Sequence, residues 1–409
     1  MIITELQQLY AAHPNVEGMY RLLQDNSVRH LYCSGLCASA ASLFSSVLIQ
    51  RVECPFVFIL GDLEEAGYFY HDLTQILGTE QVLFFPSSFR RAIKYGQKDA
   101  ANEILRTEVL SRLQKGEEGL CVVTYPDALA EKVVSRKELG DKTLKLHLGE
   151  KVDMDFVTEV LRSYSFEYVD YVYEPGQYAV RGSIIDVFSF SSEFPFRIDF
   201  FGDEVESIRT FEVESQLSKE KKENIVIVPD LSHSLEQRGN GGMVSFLDFL
   251  QPDTLLAMKD FLWLRERIQT VHDEALTAQA IAAREAEENG LISLDGKLID
   301  GGEFTLRALD FRRIEFGTKP TETPDATVTF NTTAQPIFHK NFDLVAESFH
   351  DYLSRNYALY ICSDSLKQTE RIRAIFEDRG DNISFTSVER TLHEGFADDA
   401  LRLCIFTDH

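Results

Sequence analysis

Basic side chains are scarce in this chain. Lys and Arg number 41 against 66 Asp and Glu, leaving a formal net charge of −25. Nucleic-acid binding draws much of its affinity from cations that displace phosphate counterions. A bare nucleic-acid grip is therefore not expected as the main task, although a local basic patch could still touch DNA. Cysteine is also sparse. The six thiols (Cys33, Cys37, Cys54, Cys121, Cys362 and Cys404) form no C-x-x-C pair and mostly sit in or beside apolar runs. Zinc clusters of Cys and His are not expected, and buried free thiols of a reducing compartment are. No run approaches the ~20 apolar residues of a membrane span. The opening MIITELQQLY has neither a basic segment nor a long apolar core, so it is no signal peptide, and a cytoplasmic location is expected. G-x-S-x-G and H-E-x-x-H are missing, and the ten histidines fall at no informative spacing. The acid pairs Asp203–Glu204 and Glu64–Glu65 read as solvated capping groups. The basic patches Arg90–Arg91 and Lys219–Lys222 are short; the first could face DNA or a partner domain, but a solvated face is the commoner use.

What is present is a globular composition, 44% apolar and 11% aromatic over 409 residues, long enough for about two to four domains. LYC (31–33), FVFIL (56–60), QVLFF (81–85) and LCVVT (120–124) are short apolar runs of the kind found in buried parallel strands. Helix candidates at 39–50, 63–77 and 97–115 alternate with them, which predicts an α/β layer. From about 151 to 215 the pattern changes to a helix, DMDFVTEVLRSY, followed by hairpin strands QYAVRGSIIDVFSF, PFRIDFF and EVESIRTF. Gly182 interrupts the first of these and suggests a bulge. After 224, ENIVIVP, TLLAM (254–258) and a helical run from 259 to 289 mark a return of α/β character. In that run Leu262, Ile268, Ala275 and Ala282 form the apolar stripe of a core-flanking helix. FGTKPTETPDATV (316–328) reads as a linker or exposed loop.

The tail alternates again: helix FDLVAESFHDYLSR, strand YALYICS, helix SLKQTERIRAIFEDRG, then strands NISFTS and LRLCIFT. It stops at TDH, just after an apolar strand, so the chain is expected to be the front part of something longer. The fold class predicted is α/β. A parallel-sheet, P-loop-like but degenerate domain is split into 1–134 and 224–330 by an α+β, hairpin-rich insert at 135–223, and a small α/β domain follows at 336–409.

The stretch LYCSGLCASAASLFS (31–45) sits between a strand and a helix, where a P-loop belongs. A working P-loop needs G-x-x-x-x-G-K-[ST], with backbone N–H groups around the phosphates, a Lys on the β/γ-phosphates and a hydroxyl on Mg²⁺. Only Gly35 and Ser42 match; Ala40 replaces the second Gly and Ala41 replaces the Lys. Phosphoryl chemistry rests on positioning and charge stabilisation, and Ala41 cannot supply the ammonium. No cofactor is expected for this chain.

In PFRIDFF (195–201), alternation puts Phe196, Ile198 and Phe200 on one face and Arg197, Asp199 and Phe201 on the other. Arg181, on the strand before, could join the second face. An outward Phe beside Arg is the composition of a protein-binding hot spot. The blander alternative is that Phe201 folds against a neighbour and Arg197 pairs with Asp199 or Glu204.

The run YEPGQYAVRGSIIDVF (173–188), followed by FRIDFFGDEVESIRTF (196–211), strongly resembles the N-terminal part of the bacterial transcription-repair coupling factor (Mfd) family. The excinuclease subunit UvrB carries a looser version. The resemblance runs from about residue 1 to 330 and weakens through the tail. It implies a UvrB-like module whose insert binds UvrA, with the contacting positions falling on Arg181, Arg197 and Phe201. It also implies that the P-loop of UvrB has decayed here, so Gly35, Ala40, Ala41 and Ser42 serve as scaffold, and that the UvrA-binding surface is covered in the intact protein until its motor engages. The function expected is non-catalytic recruitment of UvrA to RNA polymerase stalled at DNA lesions. Polymerase and DNA would be reached through a motor half, an ATP-dependent DNA translocase absent from this chain, and the C-terminal domains of the same protein would be further partners. Two alternatives stand beside it. One is an active ATP-dependent excinuclease subunit or other nucleotide hydrolase. The other is a module whose α/β halves chiefly bind the rest of the factor or the polymerase.

Overall fold

In a computed structural model the chain is described over residues 1–88, 100–231, 242–285, 296–338 and 341–408. Arg90–Arg91 lies outside the described residues. Two helices open the chain, α1 (Ile3–Tyr10) and α2 (Pro14–Gln24). Then β1 (His30–Ser34), α3 (Ala40–Arg51), β2 (Phe56–Ile59), α4 (Leu63–Leu77), β3 (Val82–Phe85), α5 (Ala100–Lys115) and β4 (Cys121–Thr124) alternate. These are the four apolar runs and three helices the sequence predicts. Helix α3 is buried almost all round, through Leu43, Phe44, Val47, Leu48 and Ile49, as expected of a helix enclosed on both sides.

The insert contains α6 (Met154–Ser163) and a six-stranded sheet, of which the central hairpins are β5 (Gln177–Arg181), β6 (Ile184–Val187), β7 (Phe196–Phe201) and β8 (Glu204–Phe211). Beyond it come β9 (Leu255–Lys259), α7 (Phe261–Glu285), α8 (Gly301–Ala308), β10 (Arg312–Phe316) and β11 (Ala326–Thr329). The large sheet has the order β11-β1-β10-β9-β2-β4-β3, every neighbour parallel. Its two sequence halves therefore interleave: β1 lies between β10 and β11, and β9 lies between β10 and β2. Neither half can complete its ladder alone, which is what closes a divided sequence into one sheet.

In the insert, α6 and the inner sheet face bury Val157, Leu161, Tyr178, Ile185, Phe196, Ile198, Phe200 and Val205 in a core of their own. The ENIVIVP segment differs from expectation. Asn224–Ile227 pairs antiparallel with Leu144–His147, and Ile225 and Ile227 enter the insert core. Gly182 is not a bulge. It and Ser183 form the two-residue loop of the β5–β6 hairpin, with Gly182 at φ +62°, the left-handed conformation that tight hairpin turns demand. The extra residue sits instead in β8, where pairing with β7 shifts between Asp199 and Phe200. On α7, Ile268 and Ala275 are buried but Leu262 is exposed, so the apolar stripe is narrower than the sequence suggests; the side chain of Ala282 is outside the described set.

The tail forms α9 (Phe342–Ser354), β12 (Ala358–Ser363), α10 (Leu366–Asp378), β13 (Thr386–Glu389), β14 (Phe396–Asp398) and β15 (Leu403–Thr407). The strand predicted at NISFTS begins only at Thr386. Phe349, Phe376 and Phe406 make a local core, while Cys362, Val388, Leu392, Phe396 and Ile405 join the core of the large domain. Helix α1 is the joint. The Tyr10 hydroxyl donates to Asp398 Oδ2 at 2.7 Å, and His13 Nε2 lies 3.4 Å from the same oxygen.

All six cysteines are free thiols, and burial pushes Cys33 and Cys362 up to about 12. No group of His, Cys, Asp and Glu among the described residues could hold a metal ion. No described helix is long and apolar enough to cross a membrane.

Burial opposes the charge on Asp398, but contacts from His13, Tyr10 and the Leu401 amide outweigh it and hold the carboxyl below its ordinary value. A lowered folded-state pKa contributes stability above the unfolded value of about 3.9 and loses it as pH falls through the folded one. Asp398→Asn should therefore cost about 1–2 kcal/mol at pH 7. Thermal melts across pH should show the gap from the parent chain shrinking below about pH 4.

Candidate functional site: an Arg–Phe sheet face and the turn before α3

The alternation that buries Phe196, Ile198 and Phe200 sends Arg197, Asp199 and Phe201 outward. Phe201 is 78% exposed, at the end of β7 beside the Gly202–Asp203 turn. Arg181 and Arg197 meet on one carboxylate, Asp186, which is fully buried. Arg197 binds it with two parallel hydrogen bonds, Nε to Oδ1 at 2.8 Å and Nη2 to Oδ2 at 2.9 Å, and donates from Nη1 to the Gln216 carbonyl at 3.1 Å. Arg181 reaches Oδ2 of Asp186 through Nη2. Register explains the meeting. Arg197 lies directly opposite Asp186, and Arg181 is its diagonal neighbour on β5. Aromatic rings support both guanidiniums: Arg197 stands 4.4 Å over Phe211, and Arg181 stands 5.0 Å over the exposed Tyr171.

The blander alternative holds in one part, since Arg197 is paired within its own domain, although with Asp186 rather than Asp199 or Glu204. Asp199 takes a hydrogen bond from Ser183 Oγ at 2.9 Å rather than pairing with Arg197, and Phe201 is not sealed in its own domain. The face presented is Arg181, Ile184, Asp199 and Phe201, with Arg197 set deeper. Sequence reasoning did not single out Asp186 or Tyr171. Asp186 was legible, since an acid between inward Ile185 and Val187 must point to the Arg197 side.

The turn before α3 lacks more than a lysine. Gly35 has φ +80°, and a Cβ there would lie 2.0 Å from the Phe330 carbonyl oxygen, so packing at the end of β11 already requires glycine. Ala40 is fully buried, Ala41 half-buried. The Ser42 hydroxyl is turned inward, donating to the Ser39 carbonyl at 3.0 Å and to Asp72 Oδ2 at 2.7 Å. Amides of the turn are also taken. Cys37 N–H donates to Thr332 Oγ1 at 3.0 Å and Ser39 N–H to the Glu394 carbonyl at 3.3 Å. In return, Glu394 N–H donates to Ser39 Oγ at 3.0 Å and His393 N–H to Asp72 Oδ1 at 2.7 Å. Burial raises the Asp72 carboxyl despite the hydrogen bonds from Ser39, Ser42 and His393. The tail lies where a nucleotide's phosphates would have to approach.

A family model described as the UvrB interaction domain matches residues 144–233, which span the strands just described. Transcription-repair-coupling factors are similar over longer stretches. That of Escherichia coli K12 is 29% identical over 196 residues, 47% of this chain and 17% of its own. That of Bacillus subtilis 168 is 30% identical over 197 residues, 48% of this chain and 17% of its own. That of Staphylococcus aureus RF122 is 21% identical over 427 residues, 89% of this chain and 35% of its own. This chain is thus similar to transcription-repair-coupling factors. It spans between about a sixth and about a third of the length of the curated relatives it matches.

Two substitutions separate the exposed ring from the buried carboxylate. Asp186→Ala strands two guanidiniums on a partly desolvated face and should cost about 3 kcal/mol in urea unfolding. Phe201→Ala removes an exposed ring and should leave stability within about 0.5 kcal/mol.

Proposed function

We propose that this chain is the recruiting module of a transcription-repair coupling factor, and that it binds UvrA through Arg181, Arg197 and Phe201. The observation that carries this reading is the exposed Phe201 ring on the same face as two carboxylate-anchored guanidiniums, within the UvrB interaction domain. Folding alone gives no reason to leave that ring in water. Aromatic and Arg side chains held rigidly at a surface lose little entropy on docking, which is the physical profile of a hot spot. In this reading polymerase and DNA are engaged by a motor half outside this chain, and the module acts in the cytoplasm without hydrolysing nucleotide. In this reading the chain divides into a split α/β domain, a UvrA-binding insert and a small α/β unit.

Titration calorimetry with UvrA tests the interface. Arg181→Ala and Phe201→Ala should each cost about 2 kcal/mol or more of affinity. Losses below about 0.5 kcal/mol at Arg181, Arg197 and Phe201 alike would reject it. The non-catalytic part is tested separately, by ATP turnover on the purified chain. No saturable turnover is expected, because Ala41 offers no cation and the turn's amides already have partners. Turnover that disappears on altering Ser42 would restore the hydrolase alternative.

A further inference from the structure

Arg197 does not stand alone in its row. Across the outer sheet face it lies directly opposite Arg209 on β8, and Arg209 lies opposite Lys221 on the edge strand Ser218–Lys221. Three cations thus occupy one ladder row across three neighbouring strands, about 4.8 Å apart strand to strand. Like charges set directly opposite one another are destabilising, so such a row calls for compensation. Asp186 supplies it for Arg197 from the other side. Among the described residues neither Arg209 nor Lys221 makes an ion pair, and Arg209 Nε is buried without a hydrogen-bond partner. The neighbouring lysines differ. Lys219 pairs with Glu212 at 3.2 Å and Lys222 with Glu220 at 2.8 Å. A buried, unmatched donor on a charged side chain is a cost that folding gives no reason to retain.

We infer that Arg209 and Lys221 extend the Arg–Phe face into a carboxylate-binding row, which takes an acidic segment of the protein partner that docks there. This rests on the reading of that face as a protein-binding surface. The chemistry favours carboxylates over phosphodiesters on two grounds. The row already holds one carboxylate, Asp186, in the bidentate geometry a guanidinium prefers. The chain as a whole carries a net charge of −25, which repels a polyanion such as DNA at every other point of approach. A short acidic stretch of a folded partner presents its charge only where the row can meet it.

The test measures UvrA binding to the full chain at several salt concentrations. Arg209→Gln and Lys221→Gln should each weaken binding about five- to tenfold, and each should flatten the salt dependence, while Phe201→Ala weakens binding with the salt dependence unchanged. Melting temperature checks the fold of each variant. Lys221 is exposed and at an edge, so its variant keeps the test open should Arg209→Gln disturb the sheet. A double variant within about twofold of the parent, with Phe201→Ala still strongly impaired, overturns the row and leaves the Phe201 reading standing. Loss at neither site overturns both. Binding of a duplex oligonucleotide that disappears in the double variant overturns the assignment in favour of phosphate.

Discussion

A single buried carboxylate organises the exposed face of the insert. Asp186 has no water to solvate it, so its charge must be met by donors from its own sheet. Arg197 meets it with two hydrogen bonds from the strand beside it, and Arg181 with one from the strand on the other side. The pairing fixes two long side chains that would otherwise be mobile in water, and the rings of Phe211 and Tyr171 complete their support. Guanidiniums held in this way have already lost most of their side-chain freedom. Phe201 needs no such device, because a ring with two rotatable bonds is already stiff.

That face depends on the hydrophobic side of the same strands. Ile185, Val187, Phe196, Ile198 and Phe200 pack down on α6, and period-two geometry then leaves Asp186, Arg197 and Phe201 no choice but the other side. The insert hangs from a sheet whose two halves interleave, so the insert is gripped at both ends by strands that pair with each other's neighbours. The tail is bound in similarly. It shares the main core and hydrogen-bonds the turn before α3, where backbone and a carboxylate of the chain stand in the position open to phosphate in a nucleotide-binding fold.

Much of this is legible in the sequence alone. Four apolar runs became four buried parallel strands because a strand covered on both faces can tolerate little else. The Phe196–Phe201 alternation assigned inside and outside correctly, since one polar residue out of step would have buried a charge. The misreadings are equally physical. Gly182 can serve a bulge or a turn, and only the pairing of Arg181 with Ile184 distinguishes them. ENIVIVP has the composition of any buried strand; its partner, Leu144–His147, lies far away in sequence. Leu262 fits a helical stripe whose width depends on what packs against α7.

By itself, then, the order of residues determined which segments are strands or helices, which side of each is apolar, and that position 41 offers no cation for a phosphate. These follow from local periodicity and side-chain chemistry, which need no partner. Only the tertiary structure decided that Arg181 and Arg197 share Asp186, that Arg209 faces Arg197 with no ion pair among the described residues, and that His393 and Glu394 lie against the turn before α3. Each of those is a meeting of segments distant in the chain or across a ladder, and register and packing, which no local pattern encodes, bring them together.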